Sequence, residues 1–190
     1  MHIIEARDLK GEDLSGSSDP ICYVKCLGQK QHTQVHKKTV GCVFDEVFFF
    51  QYKSVGAAEL DAGRIEFAVY DANTILRNTL IGVYHMDATL VYLESHHEVY
   101  RKWVALMDYD NAKDKGIQGF LLVSVCILGP GDEPVVHDRD AEIAAEYLAA
   151  YTSLGTEADN AMVLLPPSLD QVRTVFIKES RVQHKLITIL

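Results

Sequence analysis

Asp13 and Asp19 stand six positions apart around a small polar tip that ends in Ser17-Ser18, with Pro20 directly behind. The run before them, His2-Ile3-Ile4-Glu5-Ala6, reads as a strand. A loop of this make can fold back so that both carboxylates point into one cup. Hard cations, calcium above all, need several oxygens converging in this way. A second acid-bearing loop is required to complete such a site. The candidate is Tyr70-Asp71-Ala72-Asn73, which is poorer in acids. A different chemistry lies between the two loops. From Pro20 to Phe44 there is no acid, while Lys25, Lys30, His32, His36, Lys37 and Lys38 fall inside. In a chain of net charge −9, a local basic island points to an anionic surface or a phosphate headgroup. A solvated sheet face is the plainer reading of the same residues.

The remaining chemistry is mostly excluded. No G-x-S-x-G elbow, H-E-x-x-H helix or P-loop is present. His96-His97-Glu98 reads as a polar loop between strands rather than a metal site. Cys22, Cys26, Cys42 and Cys126 form no C-x-x-C pair and are expected to be reduced thiols. The acidic balance disfavours a general nucleic-acid binder. No apolar run approaches the roughly 20 residues of a membrane span. The start shows neither a charged n-region nor a long apolar core, so no signal peptide is read there.

The elements that must position these residues are strands. Strand-like runs are Ile3–Ala6, Ile21–Leu27, His32–Lys38, Val47–Tyr52, Arg64–Tyr70, Leu80–Met86, Lys102–Leu106 and Phe120–Leu128. Short strands this frequent predict an all-β fold, an antiparallel β-sandwich of about eight strands. A brief helix is expected around Ala88–Ser95, and Phe44, Phe48, Phe49, Phe50 and Trp103 are expected in the core. The first strand begins at once after Met1, which suggests an excerpt with an edge strand a few residues short. Gly129-Pro130-Gly131-Asp132-Glu133-Pro134 is a breaker cluster and marks a boundary. This gives a domain at 1–128 and an appendage at 129–190. In the appendage, acids crowd the start of a short amphipathic helix that carries Ile143, Tyr147, Leu148 and Tyr151 on one face. A partly ordered tail follows it.

The order of these pieces resembles a C2 domain over about residues 1–128. The carrying residues are Asp13-x5-Asp19-Pro20, the basic strand, the aromatic strand, then Val69-Tyr70-Asp71-x-Asn73 and Leu80-Ile81-Gly82. The resemblance implies an ion site built from five acids on two loops. Asp13, Asp19 and Asp71 keep an acid at those positions. Asn73 stands where a fourth is expected and Thr79 where the last is expected. Neither adds charge, so calcium binding is expected to be weak, roughly 10⁻⁴–10⁻³ M, or absent. Turn-forming acids in a calcium-blind C2 domain are the competing expectation. The resemblance also makes Leu14, Ile75 and Leu76 candidate tips that dip into a bilayer. Lys25, His36, Lys37 and Lys38 become candidate phosphate contacts.

Four further stretches look like a ferlin, and are most similar to the second C2 domain of that family. They are Phe44-Asp45-Glu46-Val47-Phe48-Phe49-Phe50, Tyr70–Arg77, Arg101-Lys102-Trp103 and Leu128–Pro134. Ferlins are large tail-anchored proteins of vesicle fusion and membrane repair. The resemblance implies a non-enzymatic module that docks on anionic phospholipid at the cytoplasmic face of membranes or vesicles. Its membrane anchor would lie outside this chain. Other C2 domains of the full-length chain and a protein partner are further implied contacts. The alternatives are a scaffold blind to both lipid and calcium, and a targeting module of a lipid-modifying enzyme or kinase.

Overall fold

The structure is a computed structural model that describes residues 1–12, 16–73, 77–111, 114 and 116–155, with side chains of the last helix up to Ala149. Two units divide it, Met1–Val136 and His137–Leu190. The first holds eight strands: β1 (His2–Arg7), β2 (Pro20–Cys26), β3 (Gln29–His32), β4 (Cys42–Val47), β5 (Arg64–Asp71), β6 (Thr79–Asp87), β7 (Glu98–Met107) and β8 (Ile117–Cys126). Helix α1 (Ala57–Asp61) precedes β5, and α2 (Ala88–Leu93) follows β6. In the second unit α3 (Arg139–Gly155) opens with Asp140 and Glu142 in its first turn.

All strand pairs are antiparallel, in the order β3-β2-β5-β6-β7-β8-β1-β4. The ladder nearly breaks between β6 and β7, where Val83 and Met107 form the one register pair. The sheet curls there into the two layers of a C2-type sandwich. Alternation explains the interior. Strand β2 turns Cys22, Val24 and Cys26 inward, β5 contributes Ile65, Phe67 and Val69, and β8 contributes Leu121, Val123 and Val125. Each of these is buried, and among the alternating residues Tyr23, Lys25, Glu66 and Phe120 keep some exposure while Ile21, Ala68, Leu122 and Ser124 are also buried.

Several strand expectations shift. The third strand is Gln29–His32, not His32–Lys38. Thr33 still donates its N–H to the Cys22 carbonyl at 2.9 Å, but its Oγ1 rather than its carbonyl accepts the Cys22 N–H at 3.0 Å, which ends the ladder, and Lys38 is left-handed at φ 53°. The fourth strand is Cys42–Val47, not Val47–Tyr52. Beyond Phe48 the carbonyls of Phe49 and Gln51 accept side-chain amides of Gln31 and Gln29, at 2.7 and 2.8 Å. Side chains, not a strand partner, thus hold that stretch. The first strand is not an edge. It lies between β8 and β4. Phe44 is buried, but Phe49 is 54% exposed and Trp103 is 39% exposed, so neither is a core residue. The four cysteines are free thiols, and burial pushes those of Cys22 and Cys42 up, the latter to about 12.

Candidate functional site

Asp19 and Asp71 meet at one end of the sandwich because β2 starts where β5 stops. Pro20 and Asp71 are partners in the β2–β5 register. Asp71 is buried, and its Oδ1 accepts the Asp19 N–H at 2.6 Å. The Ala72 N–H returns to the Asp19 carbonyl at 2.9 Å. The Asp19 carboxylate is occupied on both oxygens. Lys37 Nζ donates to Oδ2 at 2.8 Å, and the Lys38 N–H donates to Oδ1 at 2.8 Å. The Lys37 hydrogen bond, with that of Lys38 behind it, holds this carboxyl below the usual carboxylate range. A Ser18–Thr39 bridge fixes the same crossing. Asn73 donates its N–H to Asn78 Oδ1 at 3.1 Å and its side-chain amide to the Arg77 carbonyl at 3.4 Å. Thr79 opens β6 opposite Asp71 and is exposed. Asp13, Leu14, Ile75 and Leu76 lie outside the described residues.

In this arrangement both described acids already have partners. Calcium takes six to eight oxygens. Among the described residues no group of three or more His, Cys, Asp or Glu side chains converges. Of the two described acids, Asp19 already faces an ammonium, and Asp71 uses an oxygen to fix the backbone of Asp19.

The basic residues divide into two places. Lys25 on β2 stands opposite Lys30 on β3 and beside Glu66 on β5, which faces His85 on β6. The Leu27–Gly28 turn has positive φ at both residues, 40° and 81°, and this two-residue hairpin brings the lysines together. Lys25 Nζ donates to Glu66 Oε1 at 2.6 Å, which raises the Lys25 pKa. His85 Nε2 lies 3.4 Å from Glu66 Oε2. Burial alone would push the Glu66 carboxyl up, but the hydrogen bonds and charges of Lys25 and His85 hold it down. Lys30 Nζ sits 3.9 Å from the centre of the Tyr23 ring, which in turn packs on His32 and Tyr70.

His36, Lys37 and Lys38 lie at the other end of β2, where the His36 N–H donates to the Pro20 carbonyl. The His36 ring stands edge-on to Phe44 at 5.2 Å. Five residues of strand separate Lys25 from Pro20, about 17 Å. Tyr23 and Lys30 complete the Lys25 face, and sequence reasoning did not assign them to it. The signal available was Gly28, two residues into a hairpin that sets position 25 against position 30.

The fold and this loop geometry define the class, and comparison with known families agrees. Residues 1–106 match the family model of the C2 domain, and the chain belongs to that family. Among C2 domains its similarity is to those of ferlins. It is 35% identical over 143 residues to Myoferlin of Xenopus tropicalis, which covers 75% of this chain and 7% of that protein. Myoferlin of Homo sapiens is 34% identical over 140 residues, covering 73% and 7%. Ferlin 2 of Tetrahymena thermophila is 36% identical over 139 residues, covering 72% and 8%. The chain thus spans less than a tenth of these relatives.

Solved structures support the fold alone. A C2 domain of plant Extended Synaptotagmin 1 superposes with TM-score 0.50 at 19% identity, covering 65% of this chain and 87% of that one. A multidomain structure of Extended-Synaptotagmin 2, with an SMP domain and two C2 domains, gives 0.51 at 16% identity, covering 66% and 26%. A C2 domain is a binding module rather than an enzyme, and membrane and phospholipid binding are typical of C2 domains and ferlins. No helix among the described residues is long and apolar enough to cross a membrane.

Proposed function

We propose that this chain docks a ferlin-like protein onto anionic phospholipid with little or no calcium dependence. The observation that carries the reading is the exposed β2–β3 face, where Lys25 and Lys30 are register partners beside Tyr23 and His32. An anionic headgroup meets two ammonium groups there, with an aromatic ring beneath one of them. At the loop end Lys37 is engaged by Asp19, and the exposed Lys38, near His36, offers a second basic place. Leu14, Ile75 and Leu76 remain proposed membrane tips on the basis of sequence. The proposed setting is the cytoplasmic face of membranes or vesicles, beside other C2 domains and an anchor outside this chain. Residues 1–128 form the proposed docking domain, and 129–190 form the linker.

The test is co-sedimentation with vesicles containing about one fifth phosphatidylserine or phosphoinositide, in calcium or in chelator. Binding should be equal in both and should fall as salt rises, because surface charge is screened within about 10 Å at 0.1 M salt. Lys25→Ala with Lys30→Ala should weaken it about tenfold or more, at about 1 kcal/mol per basic residue near an anionic surface. Binding that ignores both salt and these changes would shift the work to the tips. A strict calcium requirement would sink the reading.

One feature favours a second reading, a protein-interaction scaffold. On the outer face of the other layer Val43 is 59% exposed. Phe120 and Trp103 are also exposed there, and the Arg7 guanidinium lies 4.9 Å over the Trp103 ring. Absence of all vesicle binding would favour that surface.

A further inference from the structure

We infer that Lys37 is a built-in counter-ion that locks the loop end in the arrangement a bound dication would otherwise impose. The inference deepens the calcium part of the proposed function and rests on that part alone. Lys37 Nζ donates to Asp19 Oδ2 at 2.8 Å, and the neighbouring N–H of Lys38 takes Oδ1 at the same distance. One carboxylate thus gathers a side chain and a backbone donor from two successive residues. Lys38 adopts φ 53° at this point, a left-handed conformation that an L-residue avoids unless its surroundings impose it. The turn leads straight into the Ser18–Thr39 bridge, closed by Thr39 N–H to Ser18 O at 2.8 Å.

On the other side Asp71 is buried at 4% exposure, and its Oδ1 accepts the Asp19 N–H. The chain of contacts therefore runs from β5 through Asp71 and Asp19 to the segment after β3. A metal ion would tie acids on two loops together by charge. Here a lysine from a third segment neutralises one acid, and the second acid pairs with the backbone of the first. Asp19 on this account is an anchor for the Lys37–Lys38 turn. Such a loop end holds its shape at any calcium concentration. Lys37 is a positioning residue, and Lys38, which is exposed, is the residue it presents outward.

The test follows amide hydrogen exchange at Asp19, Lys38 and Thr39 in the whole chain, with calcium chloride as the probe. In the wild type these amides should be slow, and equally slow to within about twofold in chelator and in about 1 mM calcium, the weak end of calcium sites. Lys37→Met should speed exchange at Lys38 and Thr39 about three- to fivefold, the range of an exposed ion pair. The amides of the β2–β5 ladder should stay unchanged, and Lys37→Arg should restore protection. Lys37 is 61% exposed, so the substitution leaves the core untouched. Unchanged exchange in Lys37→Met would overturn the lock, as would wild-type protection that appears only in calcium. The vesicle assay is independent of this one. The lock can fail while calcium-free docking survives, and docking can fail while the lock holds.

Discussion

Glu66 governs how much of Lys25 the surroundings feel. The two groups are 2.6 Å apart, and His85 adds a second contact to the same carboxylate. Removing the acid while keeping its shape, Glu66→Gln, should strengthen binding to anionic vesicles about two- to fivefold at low salt. The gain should vanish at high salt, and co-sedimentation across a salt series checks both. The pair also predicts a pH dependence of stability. The folded-state pKa of Glu66 lies below its ordinary value. Its contribution is therefore present above the unfolded value of about 4.3, and is lost as pH falls through the lowered folded value. Partly exposed pairs contribute about 0.2–1 kcal/mol. The stability difference between wild type and Glu66→Gln, from urea unfolding, should be present at neutral pH and shrink toward zero in that acidic window.

Among the elements, the β6–β7 junction shows how a curled sheet is forced. A Cβ built at Gly82 would lie 2.9 Å from Leu106 Cβ and 3.1 Å from the Leu106 carbonyl carbon. Only a hydrogen fits where β6 passes β7. Gly82→Ala must push the two layers apart, and it should destabilise by about 1–3 kcal/mol, as overpacking does. The urea midpoint should fall with an unchanged slope. A fully buried ring is expected to cost more. Phe67→Ala on β5 should remove about 3–5 kcal/mol. If Gly82→Ala were neutral, the close approach of β6 and β7 would be wrong.

For the whole molecule, the first unit, Met1–Val136, contains every strand and the buried core found among the described residues. A chain ended after Val136 should unfold in one cooperative step, with a midpoint within a few degrees of the full chain. Trp103, the single tryptophan, lies on β7 within that unit and gives the signal by fluorescence. A broad or strongly lowered transition would show that residues beyond 136 contribute to the fold. The net charge of −9 sits uneasily beside a basic docking face, so orientation matters. The acidic remainder is repelled from an anionic surface while the β2–β3 face is drawn to it.

Period-two alternation made the sandwich legible, because a side chain's face in a strand follows from its position alone. The inward residues of the observed strands, Val24, Phe67 and Val123 among them, follow that alternation. Local chemistry also marked the loops, since the acids and the Pro that follows them are adjacent in sequence. What alternation could not give was pairing between distant segments. Lys37 lies 18 positions from Asp19, and only the path of the chain after β3 makes them partners. Glu66 and Lys25 are 41 positions apart and meet because β5 lies beside β2. Trp103 and Phe49 looked like core by hydrophobicity, yet Trp103 falls on an outward position of β7 and Phe49 lies past the end of β4, which only the registers and strand limits of the folded sheet determine. The sequence could thus name Asp19, Asp71 and the lysines of the basic island, but not Glu66. Which charge each one faces was decided by the tertiary structure, because charge pairing depends on distance through space rather than along the chain.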